Sequence, residues 1–205
     1  MEKFMGGVST TEVDTYEDSY MKISYLVSSL GDGEYYFRNI SKWLTMPFFR
    51  GKDIVSICTM SGTVDYDTEE GYYHYDYVYT TSILSEEKSG SKTVLLDEDD
   101  FTNVIEGNWY GVSAVLNLPN DISTDETYFL YYNYKVNISY HGYVEHKDLD
   151  TRFNTSASYS HSTLSFIPTG FSIGVSSSGA SAAVEFTGLT LKDTRSAKLL
   201  IHYVP

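Results

Sequence analysis

Apolar and polar residues alternate with a period of two along most of this chain, and no stretch sustains the 3.6-residue period of a helix. Met21, Ile23, Tyr25 and Val27 fall on one face. The Gly31-Asp32-Gly33 turn then leads into Glu34 to Ile40, which together make a hairpin signal. Ile54 to Met60 is apolar on both faces, as a central buried strand should be. Tyr110, Val112, Ala114, Leu116 and Leu118 share a face, as do Ala197, Leu199, Ile201 and Tyr203 in the last strand. Thr127 to His141 alternates longest, with Tyr128, Leu130, Tyr132, Tyr134, Val136, Ile138 and Tyr140 on one side. That run exceeds the usual strand length, so it should contain a bend or bulge.

Other segments are less regular. Trp43 to Phe49 is apolar but contains Pro47, which predicts an edge strand or a loop plugging one end of the core. Asp97 is placed to cap a short helical turn within Asp99 to Glu106. Residues 154–181 are rich in Ser, Thr and Gly, with a turn expected at Pro168-Thr169-Gly170. Phe171, Ile173 and Val175 there alternate with Ser172, Gly174 and Ser176. The pattern predicts an all-β protein, an antiparallel β-sandwich of jelly-roll or related Greek-key type. Residues 20–205 form its single domain, and the polar, acidic residues 1–19 form an N-terminal arm or lead-in.

The 205 residues suit one β domain, and the single cysteine, Cys58, excludes an intramolecular disulfide framework. Cys58 lies in an apolar run and reads as a small buried hydrophobe. The formal charge of −14 opposes nucleic acid and anionic membranes as partners. Neither a signal peptide nor a span of membrane-crossing hydropathy is recognisable. Asn39, Asn137 and Asn154 open glycosylation triplets, which matter only in a secreted chain.

Candidate chemistry is sparse. The G-x-S-x-G elbow is absent, the five histidines show no metal-ligand spacing, and no cofactor motif is present. The expectation is no enzyme, no catalytic residue, no cofactor and no metal. Calcium stays open at the acidic runs 65–70 and 97–100, because carboxylate oxygens suit that ion.

Twenty tyrosines remain to be explained. Period-two alternation puts Tyr73, Tyr75, Tyr77 and Tyr79 in a row on one side of a sheet, a surface suited to contact. Trp43 and Trp109 join them as candidate binding residues, since sugars stack on aromatic faces. In its general character the chain resembles jelly-roll virion proteins such as head fibres, decoration proteins or tail components. That resemblance implies a structural or assembly protein of a virus or bacteriophage particle, assembled in the cytoplasm. Its partners would be its own copies, in a homo-oligomer, and other virion proteins. The alternative is a carbohydrate-binding or host-receptor-binding module of adhesin type, with a cell-surface glycan as partner.

The Ser/Gly/Thr-rich alternation of 154–181 also resembles, loosely, the amphipathic hairpin of β-pore-forming toxins. Its apolar residues switch face at Leu164 and Phe166, however, which argues against membrane insertion.

Overall fold

The computed structural model describes residues 10–47, 52–60, 62–81, 87–106, 109–124, 127–144, 152–162, 168–176, 179–186 and 192–202. The first seven strands are β1 (Thr11–Glu17), β2 (Met21–Gly31), β3 (Glu34–Trp43), β4 (Lys52–Met60), β5 (Gly62–Thr81), β6 (Lys88–Leu95) and β7 (Phe101–Glu106). The rest are β8 (Trp109–Asn117), β9 (Ile122–Ser123), β10 (Thr127–Val144), β11 (Arg152–Ser162), β12 (Pro168–Ser176), β13 (Gly179–Phe186) and β14 (Lys192–His202). Two antiparallel sheets pack face to face. Sheet A runs β1-β2-β3-β10-β5-β6, with β9 beside β10, and sheet B runs β14-β11-β4-β8-β7. This is the antiparallel β-sandwich that the alternation predicts.

The core contains the inward residues the alternation identifies, Met21, Ile23, Tyr25 and Val27 from β2 and Val112, Ala114 and Leu116 from β8, and adds Val55 and Ile57 from β4, whose sequence is apolar on both faces. Thr11–Glu17 pairs with β2 as an edge strand, so the expected polar arm carries a strand; residues 1–9 lie outside the described residues. Asp18 fastens this edge to the other sheet: its carboxylate accepts from the Arg195 guanidinium of β14 and from the Tyr20 and Met21 amides.

The expected bulge in β10 lies between Tyr132 and Lys135, and its bulged residue is Asn133, at φ 55°. The bulge reverses the phase of the strand. Tyr134, Val136, Ile138 and Tyr140 face the core as expected, but before it the core-side residues are Phe129 and Tyr131, not Tyr128, Leu130 and Tyr132. A second irregularity, between Ser139 and His141, sets aside residues 66–69 of β5; the Thr68 hydroxyl accepts from the His141 amide there. Asp97 does cap a turn, a 3-10 turn at Glu98–Asp100, but Phe101–Glu106 continues as strand. Pro168, expected in a turn, instead opens β12.

β12 and β13 form a two-stranded sheet of their own, which among the described residues joins neither main sheet. β13 lies over β11 and β4, and β12 approaches β7. This third layer explains why β4 is buried on both faces: Val55 and Ile57 meet sheet A, whereas Ile54, Ser56 and Cys58 face outward beneath the hairpin.

Candidate functional site

Sheet A overruns sheet B at one end. β3 stops at Trp43, and its last pairing with β10 is Lys42 with Lys135, but β10 and β5 continue together to Thr127 and Thr81. β9 takes the place vacated by β3, pairing Ile122 with Phe129. Along one face of this overhang the rings form a continuous ladder. Tyr77 and Tyr79 sit 6.2 Å apart, Tyr79 stacks on Phe129 at 5.1 Å, and Phe129 stacks on Tyr131 at 6.1 Å. Tyr131 meets Tyr75 edge-on, and Tyr75 packs on Tyr134 in the core.

The predicted tyrosine row is therefore graded. Tyr75 is 7% exposed and belongs to the core. Tyr73 and Tyr77 are half-buried against it, and Tyr79 stands further out among the ladder rings. Burial raises the phenol pKa of Tyr73, Tyr75 and Tyr131, so these hydroxyls stay neutral. The ladder rings lean on one another and are all half-buried, an arrangement suited to a boundary between apolar and wet surroundings. Exposed Ile122, Tyr128 and Leu44 lie at the same end.

Trp43 and Trp109 are each 4% exposed, so the sugar platforms expected there have no open ring face. Trp109 packs with Cys58 and Met60. Trp43 instead belongs to a buried clasp between the sheets. Its indole N–H donates to the Tyr159 hydroxyl at 3.2 Å, which donates to Asp53 Oδ2 at 2.6 Å. His161 Nδ1 sits 2.7 Å from Asp53 Oδ1. Sequence reading missed this network because its members lie on β3, β4 and β11, with no spacing in common.

The clasp fixes which ends of the two sheets coincide. The end of β3 meets the end of β11 through Trp43 and Tyr159, and Tyr134 reaches Pro119 after β8. β11 exits at this end and β14 enters it, since Ser162 pairs with Lys192. The β12–β13 hairpin thus follows Ser162 and precedes Lys192, which pair at the end that bears the aromatic overhang.

The hairpin's register sorts its residues by polarity. Phe171 lies opposite Val184, Ile173 opposite Ala182 and Val175 opposite Ala180. Directly opposite residues share a face, so these six make one face wholly apolar. The other face pairs Gly170 with Glu185, Ser172 with Ala183, Gly174 with Ser181 and Ser176 with Gly179. Beneath the hairpin, the outer face of sheet B carries a row of hydroxyls. Ser196, Ser158, Ser56, Ser113 and Thr102 are successive cross-strand partners across β14, β11, β4, β8 and β7. Ser56 Oγ and Ser158 Oγ are 2.7 Å apart, and Ser156 Oγ donates to the Ala197 carbonyl.

The acidic runs meet in a groove of about 820 Å³ lined by Asp67, Glu69, Asp97 and Glu98 with Tyr66 and Phe101. Burial, then the charges of Asp67 and Glu98, raises the Glu69 carboxyl pKa. Among the described residues, no three His, Cys, Asp or Glu side chains are grouped to share a metal ion.

No protein-family model matches the chain, and no curated protein matches it. Among solved structures, one described as a pore forming protein aligns over 99% of this chain and 98% of its own length, at 8% identity and a TM-score of 0.41. AvmM, which catalyses macrocyclization in alchivemycin A biosynthesis, aligns over 96% and 90% at 9% identity and 0.37. The pilus 2b backbone protein of group B streptococcus aligns over 94% and 82% at 10% identity and 0.31. Likenesses at these scores carry no functional argument.

Proposed function

We propose that this chain is a non-enzymatic, self-associating β-sandwich that perforates lipid bilayers, with the β12–β13 hairpin as its inserting segment. The observation that carries the reading is the hairpin's register, which collects every large apolar residue of 170–185 on one face. A transmembrane strand needs roughly 9–11 residues and alternates lipid-facing apolar with lumen-facing polar positions. β12 has 9 residues and β13 has 8. Nine residues span about 30 Å, or about 23 Å at the usual barrel tilt, close to the apolar band of such barrels.

Three further features support it. The hairpin shares no ladder with the sandwich, so it leaves without breaking either main sheet. It leaves behind a floor crossed by the hydroxyl row, with Ile54 and Cys58 on either side of Ser56. Its roots lie beside the Tyr79–Phe129 overhang, at the level where aromatic rings favour a membrane boundary. A lone hairpin has unpaired strand edges, which lipid does not tolerate. Closure of the smallest usual barrel, of about eight strands, takes about four copies. The phase change at Leu164 and Phe166, which set insertion aside in the sequence, precedes β12 and lies outside the described residues. Among the described residues, no surface favours self-association in a virion over a membrane.

Dye release from phosphatidylcholine vesicles tests the reading. Ile173→Asp puts a charge on the lipid-facing side of every copy and should abolish release, whereas Ser172→Asp, one residue away on the lumen side, should retain release and increase cation preference. Equal behaviour of the two variants, with thermal midpoints unchanged, would rule out an inserting hairpin.

A further inference from the structure

A second feature arises from the pairing of sheet A. Lys22 lies directly opposite Lys42, Lys42 opposite Lys135, and Lys135 opposite His74. Three lysines and a histidine therefore stand side by side across β2, β3, β10 and β5, on the face turned away from the core. This happens in a chain with 14 basic residues against 28 acidic ones. Like charges directly opposite one another destabilise a sheet. A local rule broken without compensation marks a functional site.

The acids nearby do not neutralise the row. Glu17 Oε2 lies 2.8 Å from Lys22 Nζ, at the edge of the row. Asp76 accepts from Ser91 Oγ at 2.6 Å and from Asn133 Nδ2 at 2.8 Å, and lies 3.4 Å from His74 Nε2. Lys42 and Lys135 have no carboxylate partner among the described residues. Lys22, Lys42, Lys135 and His74 line a groove of about 410 Å³ together with Ser24, Ile40, Asn133 and, at the His74 end, the Asp76 carboxylate.

We propose that this lysine row is a binding site for a phosphate group. Several ammonium groups on flexible stems, each with three donors, suit an anion that carries more than one charge and several acceptor oxygens. A single carboxylate would leave most of the row unpaired. The phosphate belongs either to a lipid headgroup or to a free phosphorylated solute. The row sits on β2, β3 and β10 just where the aromatic overhang begins, so a bound headgroup would lie beside the overhang. The site is independent of whether the hairpin inserts.

Thermal unfolding in inorganic phosphate and in chloride at equal ionic strength tests it. Phosphate should raise the midpoint of the full chain. Lys42→Gln and Lys135→Gln should each melt higher than wild type in chloride, because repulsion is relieved, yet lose most of the phosphate-induced rise. Lys88→Gln, away from the row, should keep that rise. A purely structural lysine would show the opposite, lower stability in chloride and an unchanged response to phosphate. Flotation with phosphatidylcholine vesicles, with and without phosphatidic acid, then separates the sources. A gain in vesicle binding with phosphatidic acid that drops about tenfold in Lys42→Gln assigns a lipid phosphate, and a phosphate response with no such gain assigns a free one. A wild type indifferent to tens of millimolar phosphate, or a response that survives both substitutions, overturns the site. Dye release by the hairpin is read separately and stands or falls without it.

Discussion

Asn133 shows how one residue decides the surface of an element. It adopts a left-handed backbone, φ 55°, and its amide donates to Asp76. Asparagine tolerates this conformation and a β-branched residue does not. Asn133→Gly should therefore be nearly neutral, and Asn133→Val should cost about 1–3 kcal/mol in chemical denaturation. Asp18 offers a pH-dependent case. Burial pushes its pKa up, but hydrogen bonds from Arg195, Met21, Tyr20 and Tyr16 hold it well below the usual carboxylate range. A depressed carboxylate pKa stabilises the fold above the unfolded value, near pH 4, and that stability is lost as the pH falls towards the folded value. Asp18→Asn should lower the melting temperature at pH 7, and the deficit should shrink steadily below pH 4. Glu69 has the reverse sign. Its raised pKa means the charged form is disfavoured in the fold, so Glu69→Gln should raise the midpoint at pH 7 and converge on wild type in acid.

At the scale of elements, period-two alternation was enough to identify the core faces of β2 and β8 from sequence, because one face of each packs on the opposite sheet, whereas β4, apolar on both faces, announced only that it was central. It located the β10 irregularity only as a length that a strand could not sustain. Which tyrosines turned inward before Asn133 depended on a backbone torsion, and polarity could not report it, since Phe129 and Leu130 are equally apolar. The tryptophans were misjudged for a related reason: a large ring with one polar atom suits a ligand platform and a sheet-to-sheet clasp alike. The hairpin was half legible. Phe171, Ile173 and Val175 alternate visibly, but Ala180, Ala182 and Val184 complete the face only once the register pairs them, and small residues carry little signal of their own. The lysine row and the hydroxyl row were invisible for the same reason, as each takes one residue from each of four or five strands.

For the whole molecule, the coincidence of hairpin roots and aromatic overhang sets a direction of approach. The overhang leads, and the β2–β3 turn at Asp32 trails at the far end of the sandwich. Mixing the chain with phosphatidylcholine vesicles and measuring mass in detergent should give a ring of about four or more copies, while the chain in buffer alone stays monomeric. A variant carrying Ile173→Asp should remain monomeric under both conditions if barrel closure is what holds the copies together.

The hydroxyl row beneath β13 bears on what happens between those two states. A protein that lifts a packed layer usually uncovers a greasy scar, and such a species clumps before it can find its target. Here the uncovered floor is mixed: the hydroxyls of Ser158, Ser56 and Ser113 cross it between Ile54 and Cys58, which are buried on the same face of β4. A chain whose hairpin has swung free would therefore carry its hazard in two places, the apolar residues of the hairpin and the strip of β4 it had covered. Lifetime in solution would then depend on how soon both meet a membrane or another copy. An antibody or small protein that clasped 170–185 would leave the body of the molecule unaltered and yet disarm it.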